Sequence, residues 1–186
     1  MRIVKIVLIV LGTLLLMFFL AYGYYGGFYP VSTEIRRQGG EMLVYEKMTG
    51  DYAQSPKVSG RVYNRLLREY NINTTRGFGI YYDNPETTTE DRLKADVGCI
   101  LESDFEKLET LQTQFEIREY PKGDYLVADF PFKGTPSVII GIMKVYPALN
   151  TYLEEHGYIP DTPVMEIWDL SKNMIHYRKE LVKIEE

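Results

Sequence analysis

The stretch FGIYYDNPETTTEDRLKADVGCIL, residues 78–101, decides the fold. Its first part, Phe78 to Tyr82, is rich in aromatic residues and predicts a strand, which the turn-forming residues Asp83-Asn84-Pro85 end. Its last part, Lys94 to Leu101, predicts a second strand with Gly98 inside it. Two strands alone are marginally stable in water, so this pair needs partners from the flanking sequence.

Upstream of this pair, the sequence predicts one strand and one helix. Met42 to Met48 has the alternating pattern of a strand. Pro56 to Tyr70 has apolar residues at helical spacing, and Ser55 followed by a first-turn proline is typical of a helix N-terminus. The predicted order is therefore strand, helix, strand, strand.

Downstream, the same order is predicted a second time. The predicted elements are strands at 115–120 and 125–130, a helix at 136–155, and strands at 163–169 and 174–182. Three local echoes link the halves: Gly50-Asp51-Tyr52 with Gly123-Asp124-Tyr125, Val62-Tyr63 with Val145-Tyr146, and Ile80-Tyr81-Tyr82-Asp83 with Glu166-Ile167-Trp168-Asp169. We interpret them as an internal repeat, with two unrelated α+β hairpins as the alternative. The predicted class is α+β, with duplicated modules forming an antiparallel sheet that carries helices on one face.

The N-terminal segment predicts a transmembrane helix. From Ile3 to Ala21 the chain is apolar except for Lys5, Gly12 and Thr13. A helix of this length nearly spans a hydrocarbon core of ~30 Å. Tyrosine and phenylalanine residues follow, as at a membrane interface, so residues 3–25 are expected to contact the membrane. A cleaved signal peptide is the alternative, because Ala21-Tyr22-Gly23 loosely fits a cleavage site.

These features divide the chain into an anchor at 1–28, a linker at 29–40 and one domain at 41–186. Arg2 and Lys5 favour an inside N-terminus, which makes the protein single-pass with its domain on the outer, periplasmic side. Arg36 and Arg37 oppose this orientation, because they lie close to the other end of the helix.

Composition limits the partners. The net charge of −5 argues against a nucleic-acid partner. Cys99 is the single cysteine, so no intrachain disulfide forms, and with two histidines the chain has too few soft ligands for closed zinc sites. We expect no metal and no cofactor, although a carboxylate-rich metal site stays open. The aromatic share of 13% suits both sheet surfaces and ligand pockets.

Several of these motifs resemble the GyrI-like domain, which is also the effector-binding module of bacterial transcription activators. The run Gly79 to Pro85, followed by Arg92 and Asp96-Val97-Gly98, carries most of the resemblance. Gly50-Asp51-Tyr52 after the first strand and the strand Pro163 to Asp169 are looser matches. The resemblance covers residue 41 to the C-terminus. It implies two strand-helix-strand-strand (SHS2) modules with a ligand groove between them.

The resemblance also implies function. GyrI-like domains bind lipophilic, often cationic, small molecules; some resemble cyclopropanoid hydrolases, some inhibit DNA gyrase, and one eukaryotic branch is a membrane-anchored autophagy receptor. Glu166 matches the glutamate that these domains use in the pocket. Trp168 stands where tyrosine is commoner, which keeps an aromatic wall but puts catalysis in doubt.

The candidate site follows from the strand pattern together with this resemblance. Alternation puts Glu166 and Trp168 on one face, where a carboxylate beside rings suits an organic cation. The repeat adds Tyr82 on the equivalent face of the first half, with Tyr45 and Tyr52 at the pocket rim. Periodicity alone would place Glu166 towards solvent and the tyrosines in ordinary packing, and both alternatives remain.

Three functions are expected. The first is a membrane-tethered sensor or scavenger that binds lipophilic ligands. The second is a hydrolase of reactive electrophiles in which Glu166 is catalytic and Tyr82 or Tyr45 positions water. The third, an interaction protein or receptor, ranks lowest because no flexible tail with a partner motif follows the last predicted strand.

Overall fold

The computed structural model describes residues 2–103 and 105–184. Within these ranges the elements are, in chain order, α1 (Arg2–Tyr24), β1 (Thr33–Gln38), β2 (Met42–Thr49), α2 (Ser55–Tyr70), β3 (Arg76–Tyr81), β4 (Lys94–Leu101), α3 (Leu108–Leu111), β5 (Glu116–Glu119), β6 (Gly123–Pro131), α4 (Thr135–Glu155), β7 (Val164–Asp169) and β8 (Met174–Glu180). Short 3-10 turns precede α2, β4 and α3.

The eight strands form one antiparallel sheet in the order β1-β6-β8-β7-β3-β4-β2-β5. α2 packs on β2, β3 and β4, and α4 packs on β1, β6 and β8. The strand registers place both helices on the same face of the sheet. The predicted α+β class, with helices on one face of an antiparallel sheet and an apolar helix before it, is confirmed.

The main departure from the sequence prediction lies between residues 29 and 40. This segment was expected to be a linker, but Thr33–Gln38 forms β1 and pairs with β6. Its sequence, TEIRRQ, has one apolar residue, Ile35, so the alternation that marks a strand is almost absent. An edge strand needs little apolar surface because one of its sides is open to solvent.

The sheet is strongly curled, as the chain connections require. β1 and β2 lie six places apart in the strand order, about 29 Å in a flat sheet. Only residues 39–41 join them, and the four Cα steps from Gln38 to Met42 reach at most about 15 Å. Gly40 N–H donates to the Tyr120 carbonyl over 2.7 Å, so this connection also bonds to the one between β5 and β6. The two edges of the sheet therefore approach each other.

The curl gives the molecule apolar clusters on both faces of the sheet. The inner face, opposite the helices, buries residues from both halves: Leu43, Tyr45, Phe78, Ile80, Ile100, Tyr120, Tyr125, Val127, Met165 and Ile167. Separate clusters lie beneath α2 and beneath α4. The clusters beneath the helices flank the middle of the helix-bearing face, where Gly79 of β3 is paired with Glu166 of β7.

The first of the three echoes does not join equivalent places. Gly50-Asp51-Tyr52 follows β2 and leads into α2, whereas Gly123-Asp124-Tyr125 begins β6. The residues that precede α4 are instead Lys133 and Gly134, and Gly134 has a positive φ of 94°, as Gly50 does at 106°. The internal repeat itself stays a prediction.

α1 is a 23-residue helix that contains an 18-residue stretch with a mean hydropathy of 2.9, so it is long and apolar enough for a membrane span or a signal sequence. The segment after it is tied to the domain by lysines. Lys133 Nζ donates to the Tyr24 carbonyl over 2.8 Å, and Lys144 Nζ donates to the carbonyls of Gly27 and Tyr29 over 2.7 and 2.6 Å. The end of α1 therefore lies beside the first half of α4.

Candidate functional site

Glu166 lies in the middle of β7, on the helix-bearing face of the sheet. It is paired with Gly79 of β3 on one side and with Tyr177 of β8 on the other. Its exposed fraction is 2%, so it is not the solvent-facing residue that periodicity alone would suggest. The carboxylate therefore sits beneath the two helices, between the halves of the chain.

Three tyrosines surround this carboxylate. Tyr146 of α4 donates a hydrogen bond of 2.8 Å to Glu166 Oε1. The Tyr177 ring meets the Tyr146 ring edge-on, with centroids 6.0 Å apart. Tyr81 folds back over Gly79, since a Cβ added there would lie 2.7 Å from the Tyr81 hydroxyl. Glu166 is thus enclosed by aromatic rings, as expected, but by different tyrosines.

Trp168 extends the aromatic wall towards α2. It is half-buried and packs against the cluster beneath α4. Its partner across the strands is Gly77, where an added Cβ would lie 3.6 Å from the Trp168 ring and 3.1 Å from Ser59 Oγ of α2. Gly77 and Gly79 thus keep β3 free of bulk along the strip between α2 and α4.

Burial governs the ionisation of Glu166. Desolvation raises its pKa to about 7, against the opposing effect of the hydrogen bond from Tyr146. Within the described residues, Glu166 forms no ion pair with lysine, arginine or histidine. Near neutral pH this carboxyl group can hold or release a proton, and its charged form has no countercharge.

Tyr82 and Tyr45 lie on the opposite face of the sheet from Glu166. Tyr82 Oη donates to Asp96 Oδ2 over 2.6 Å, and Asp96 is paired with Ile80, whose other partner is Met165. The echo that equated Ile80 with Glu166 is off by one residue, and in a strand a one-residue slip moves every side chain to the other face. Tyr45 packs within the inner apolar cluster.

Among the described residues, Tyr52 meets the candidate site through the ring of Tyr81. The two rings meet with centroids 4.7 Å apart. The Tyr52 hydroxyl donates to the Lys94 carbonyl over 2.8 Å, which ties the start of α2 to the start of β4. The structure therefore brings together Glu166 and Trp168, places Tyr52 one contact away, and separates Tyr45 and Tyr82 from them.

Residues 32–173 match the GyrI-like small molecule binding domain. The chain belongs to this family. Testis-expressed protein 264 homolog from Mus musculus is 33% identical over 109 residues, which cover 55% of this chain and 34% of that protein. Testis-expressed protein 264 from Homo sapiens is 31% identical over 109 residues, which cover the same shares of the two proteins. The chain thus matches about a third of the length of these relatives.

Solved structures share the GyrI-like fold at low sequence identity. The EcmrR C-terminal domain has a TM-score of 0.58 and 12% identity, and the match covers 83% of this chain and 99% of that one. SAV2435 bound to tetraphenylphosphonium has a TM-score of 0.50 and 10% identity, and the match covers 81% and 93%. These likenesses support the architecture of the GyrI-like domain described above.

Sequence reasoning missed the tyrosines that contact Glu166. Tyr146 was assigned to the predicted helix at 136–155 and to an echo with Tyr63, and Tyr177 to the predicted strand at 174–182. Only the strand register places Tyr177 beside Glu166, and only the packing of α4 turns Tyr146 towards it. The glycines at 77 and 79 were the available signal, since glycine in a strand often marks a close approach.

Glu166 lines neither of two surface hollows that the described residues form. One, of about 240 Å³, opens on the inner face of the sheet beside β1, β6 and β8. The other, of about 470 Å³, lies among the loops around Asp83 and Arg92. The expected hollow beside Glu166 is not one of these two, since Tyr81 and Tyr146 lie over the carboxylate. Within residues 2–103 and 105–184, no group of histidine, cysteine or carboxylate side chains is arranged to hold a metal ion.

Proposed function

We propose that this GyrI-like domain is a membrane-anchored sensor or scavenger that binds lipophilic ligands, organic cations in particular. The observation that carries the proposal is Glu166, a carboxylate with an exposed fraction of 2%, enclosed by tyrosines, with no cationic partner among the described residues. A buried charge without a countercharge is costly, so an entering cation would relieve that cost.

The surroundings of Glu166 suit such a ligand. Aromatic rings attract a cation by roughly 0.5–2 kcal/mol each, and Tyr81, Tyr146 and Trp168 offer three. Gly77 and Gly79 leave the floor of the strip bare, so rotation of Tyr81 would open space directly above the carboxylate. Tyr81 is the natural candidate to move because it is only partly buried: it lies at the margin of the apolar cluster beneath the start of α2, with its ring against the ring of Tyr52.

The shared fold gives a precedent for the ligand class. SAV2435 binds tetraphenylphosphonium, a lipophilic cation without hydrogen-bond donors. Such a ligand can be recognised only through its charge and its apolar surface. A buried carboxylate walled by rings offers both forms of recognition.

Membrane anchoring fits this ligand class, since lipophilic molecules concentrate in bilayers. α1 has the length and hydropathy of a span, and the segment that follows it is hydrogen-bonded to α4. Tyr146 of the candidate site is on the same helix as Lys144, which makes two of these bonds. Arg2 and Lys5 support the outer side for the domain.

The direct test is a calorimetric titration of the full chain, held in nanodiscs, with tetraphenylphosphonium. Tetraphenylborate has the same shape with the opposite charge, and empty nanodiscs report partition into lipid. We expect the cation to bind and the borate not to bind. Glu166→Gln should weaken cation binding at least tenfold, and Glu155→Gln, an exposed carboxylate of α4, should not change it. Equal binding by the Glu166→Gln chain would refute the proposal.

A Glu166-dependent hydrolase of reactive electrophiles, such as cyclopropanoids, is the second candidate function. It is favoured by the pKa of Glu166, which burial raises to about 7, and by the Tyr146 hydroxyl 2.8 Å away. A carboxyl group of this pKa is suited to general acid–base work near neutral pH. Tyr146 takes the water-positioning role that the sequence assigned to Tyr82 or Tyr45. Turnover of a cyclopropanoid panel that is lost in Glu166→Gln would establish this activity, and ligand binding without turnover would remove it.

A further inference from the structure

The polar cavity of about 240 Å³ lies on the face of the sheet that the helices do not cover. Its floor includes Val127 and Ile167. Arg178 of its wall is paired with Val127 on one side and Met165 on the other, so it shares their face and not that of Glu166. The sheet itself therefore separates this cavity from the proposed cation site.

The cavity wall is dominated by charged side chains. Four cationic residues line it, namely Arg36, Arg76, Lys172 and Arg178, against the three carboxylates Glu41, Asp129 and Asp169. Counted without His176, these seven groups carry one net positive charge. Several are already paired: Arg36 Nη2 lies 2.8 Å from Asp129 Oδ2, and His176 Nδ1 lies 2.6 Å from Asp129 Oδ1.

The ion pair of Arg178 and Glu41 leaves one polar atom of each side chain without a hydrogen bond. Arg178 Nη2 donates to Glu41 Oε1 over 2.7 Å, and Arg178 has an exposed fraction of 6%. Arg178 Nη1 and Glu41 Oε2 are both buried and have no hydrogen-bond partner among the described residues. Buried polar groups are nearly always hydrogen-bonded, and an unmet one costs about 1–3 kcal/mol or more when charged.

We propose that this cavity binds a small carboxylate that bears a hydroxyl or amino group next to its carboxylate. The ligand carboxylate accepts from Arg178 Nη1 and from the guanidinium of Arg76. The neighbouring hydroxyl or ammonium donates to Glu41 Oε2. Val127 and Ile167 contact the short carbon skeleton.

Size and charge both limit the ligand to this class. The volume is below the range of about 300–1,000 Å³ typical of pockets for drug-sized ligands. A plain monocarboxylate would satisfy Arg178 and leave Glu41 Oε2 without a donor. An organic cation would meet Glu41 Oε2 but would leave Arg178 Nη1 without an acceptor. A hydroxy or amino acid supplies both missing partners.

The experiment titrates the full chain in nanodiscs with lactate, malate, serine and glutamate, with acetate and inorganic phosphate as comparisons. We expect at least one hydroxy or amino acid to bind at least tenfold more tightly than acetate or phosphate. Arg76→Gln should weaken that binding about tenfold, because it removes a half-buried guanidinium from the cavity wall. In the free chain, Arg76 Nε donates a hydrogen bond to Glu102 Oε1. Arg92→Gln, in the other hollow, is the matched control and should leave it unchanged.

Glu41→Gln separates recognition of the second group from simple anion binding. It should reduce the preference over acetate while retaining acetate binding, because the amide keeps the shape but loses the charge. Arg178→Lys should abolish the preference if the chain folds, which circular dichroism checks. The proposal is overturned if none of the hydroxy or amino acids binds more tightly than phosphate, or if Arg76→Gln and Arg92→Gln behave alike. Neither result depends on tetraphenylphosphonium binding, so the two proposals fail separately.

Discussion

The hydroxyl of Tyr146 lies 2.8 Å from Glu166 Oε1, and this bond joins α4 to the centre of the sheet. It is the one hydrogen bond recorded for the Glu166 side chain within the described residues. A carboxylate this deeply buried depends on that donor to remain charged. The helix and the ionisation of the site are therefore coupled.

The first prediction concerns Tyr146→Phe. The change removes the donor and leaves the ring, so we expect the free energy of unfolding to fall by about 1–3 kcal/mol at pH 8. The loss should be smaller at pH 5, where Glu166 is protonated and needs the donor less. Urea denaturation at both values measures it. Tyr63→Phe, which loses an exposed bond of 3.1 Å to Asn73, is the control and should have little effect. Equal losses for Tyr146→Phe at pH 5 and pH 8 would contradict the coupling.

The second prediction concerns cation binding and pH. Tetraphenylphosphonium should bind the ionised form of Glu166, whose pKa burial raises to about 7. The affinity should therefore increase about tenfold from pH 6 to pH 8, with proton release on binding below pH 7. Calorimetry in two buffers of different ionisation enthalpy measures both quantities. In Glu166→Gln the remaining affinity should be flat with pH; a slope that persists in this variant would assign the proton to another group.

The third prediction concerns stability. The folded pKa of Glu166, about 7, lies above the ordinary value of 4.5. Protonated Glu166 therefore contributes its full share to the free energy of unfolding below pH 4.5, and this contribution is lost as the pH rises towards 7. The shift corresponds to about 3 kcal/mol. Glu166→Gln should remove this decline from the curve of unfolding free energy against pH. If the variant and the original chain give parallel curves, Glu166 does not titrate as the structure indicates.

Much of the fold was accessible from sequence because local patterns were strong. Lys94–Leu101 is the same strand in prediction and structure. Both long helices of the domain were predicted to within one residue of their bounds, the first of them from apolar residues at helical spacing and a first-turn proline. β1 was missed because an edge strand needs no apolar face. The curl of the sheet was also missed, since it follows from the strand order and not from any local pattern.

The candidate site was harder to predict, for a reason of register. Glu166 and Trp168 share a face by simple alternation, which one strand suffices to show. The partners of Glu166 depend on pairing with β3 and β8, where a shift of one residue exchanges Gly79 for Ile80. The repeat suggested that shifted register, so Tyr82 was placed in the site and Tyr81 was not.

The fourth prediction tests the close packing of the strands. A Cβ on Gly98 would lie 2.0 Å from the Val44 carbonyl oxygen, which is backbone and cannot move aside. We expect Gly98→Ala to destabilise the chain by about 3 kcal/mol or more, or to prevent folding. Gly60→Ala is the matched control, because a Cβ added there in the middle of α2 would meet no described atom within 4 Å apart from the neighbouring helix backbone. It should stabilise the chain by about 0.5–1 kcal/mol. Thermal unfolding of both variants decides, and equal effects would contradict the packing described.

The fifth prediction concerns α1 as a membrane span. The full chain should stay in the membrane pellet after carbonate extraction, with residues 1–28 still present by mass spectrometry of the intact protein. Leu11→Arg should release part of it, since a central arginine costs about 2.5–3.5 kcal/mol on insertion. Leu67→Arg, at an exposed position of α2, should not. Loss of the N-terminal segment would instead identify a cleaved signal sequence.

The side of the membrane can be measured with the same chain. Cys99 is buried, and burial raises its pKa to about 11, so an impermeant maleimide should not label it. Glu86→Cys introduces one exposed thiol in the loop between β3 and β4. If Arg2 and Lys5 keep the N-terminus inside, right-side-out vesicles should label fully and inverted vesicles only after lysis. The reverse pattern would show that Arg36 and Arg37 set the orientation, and would expose the proposed cation site to the inner compartment.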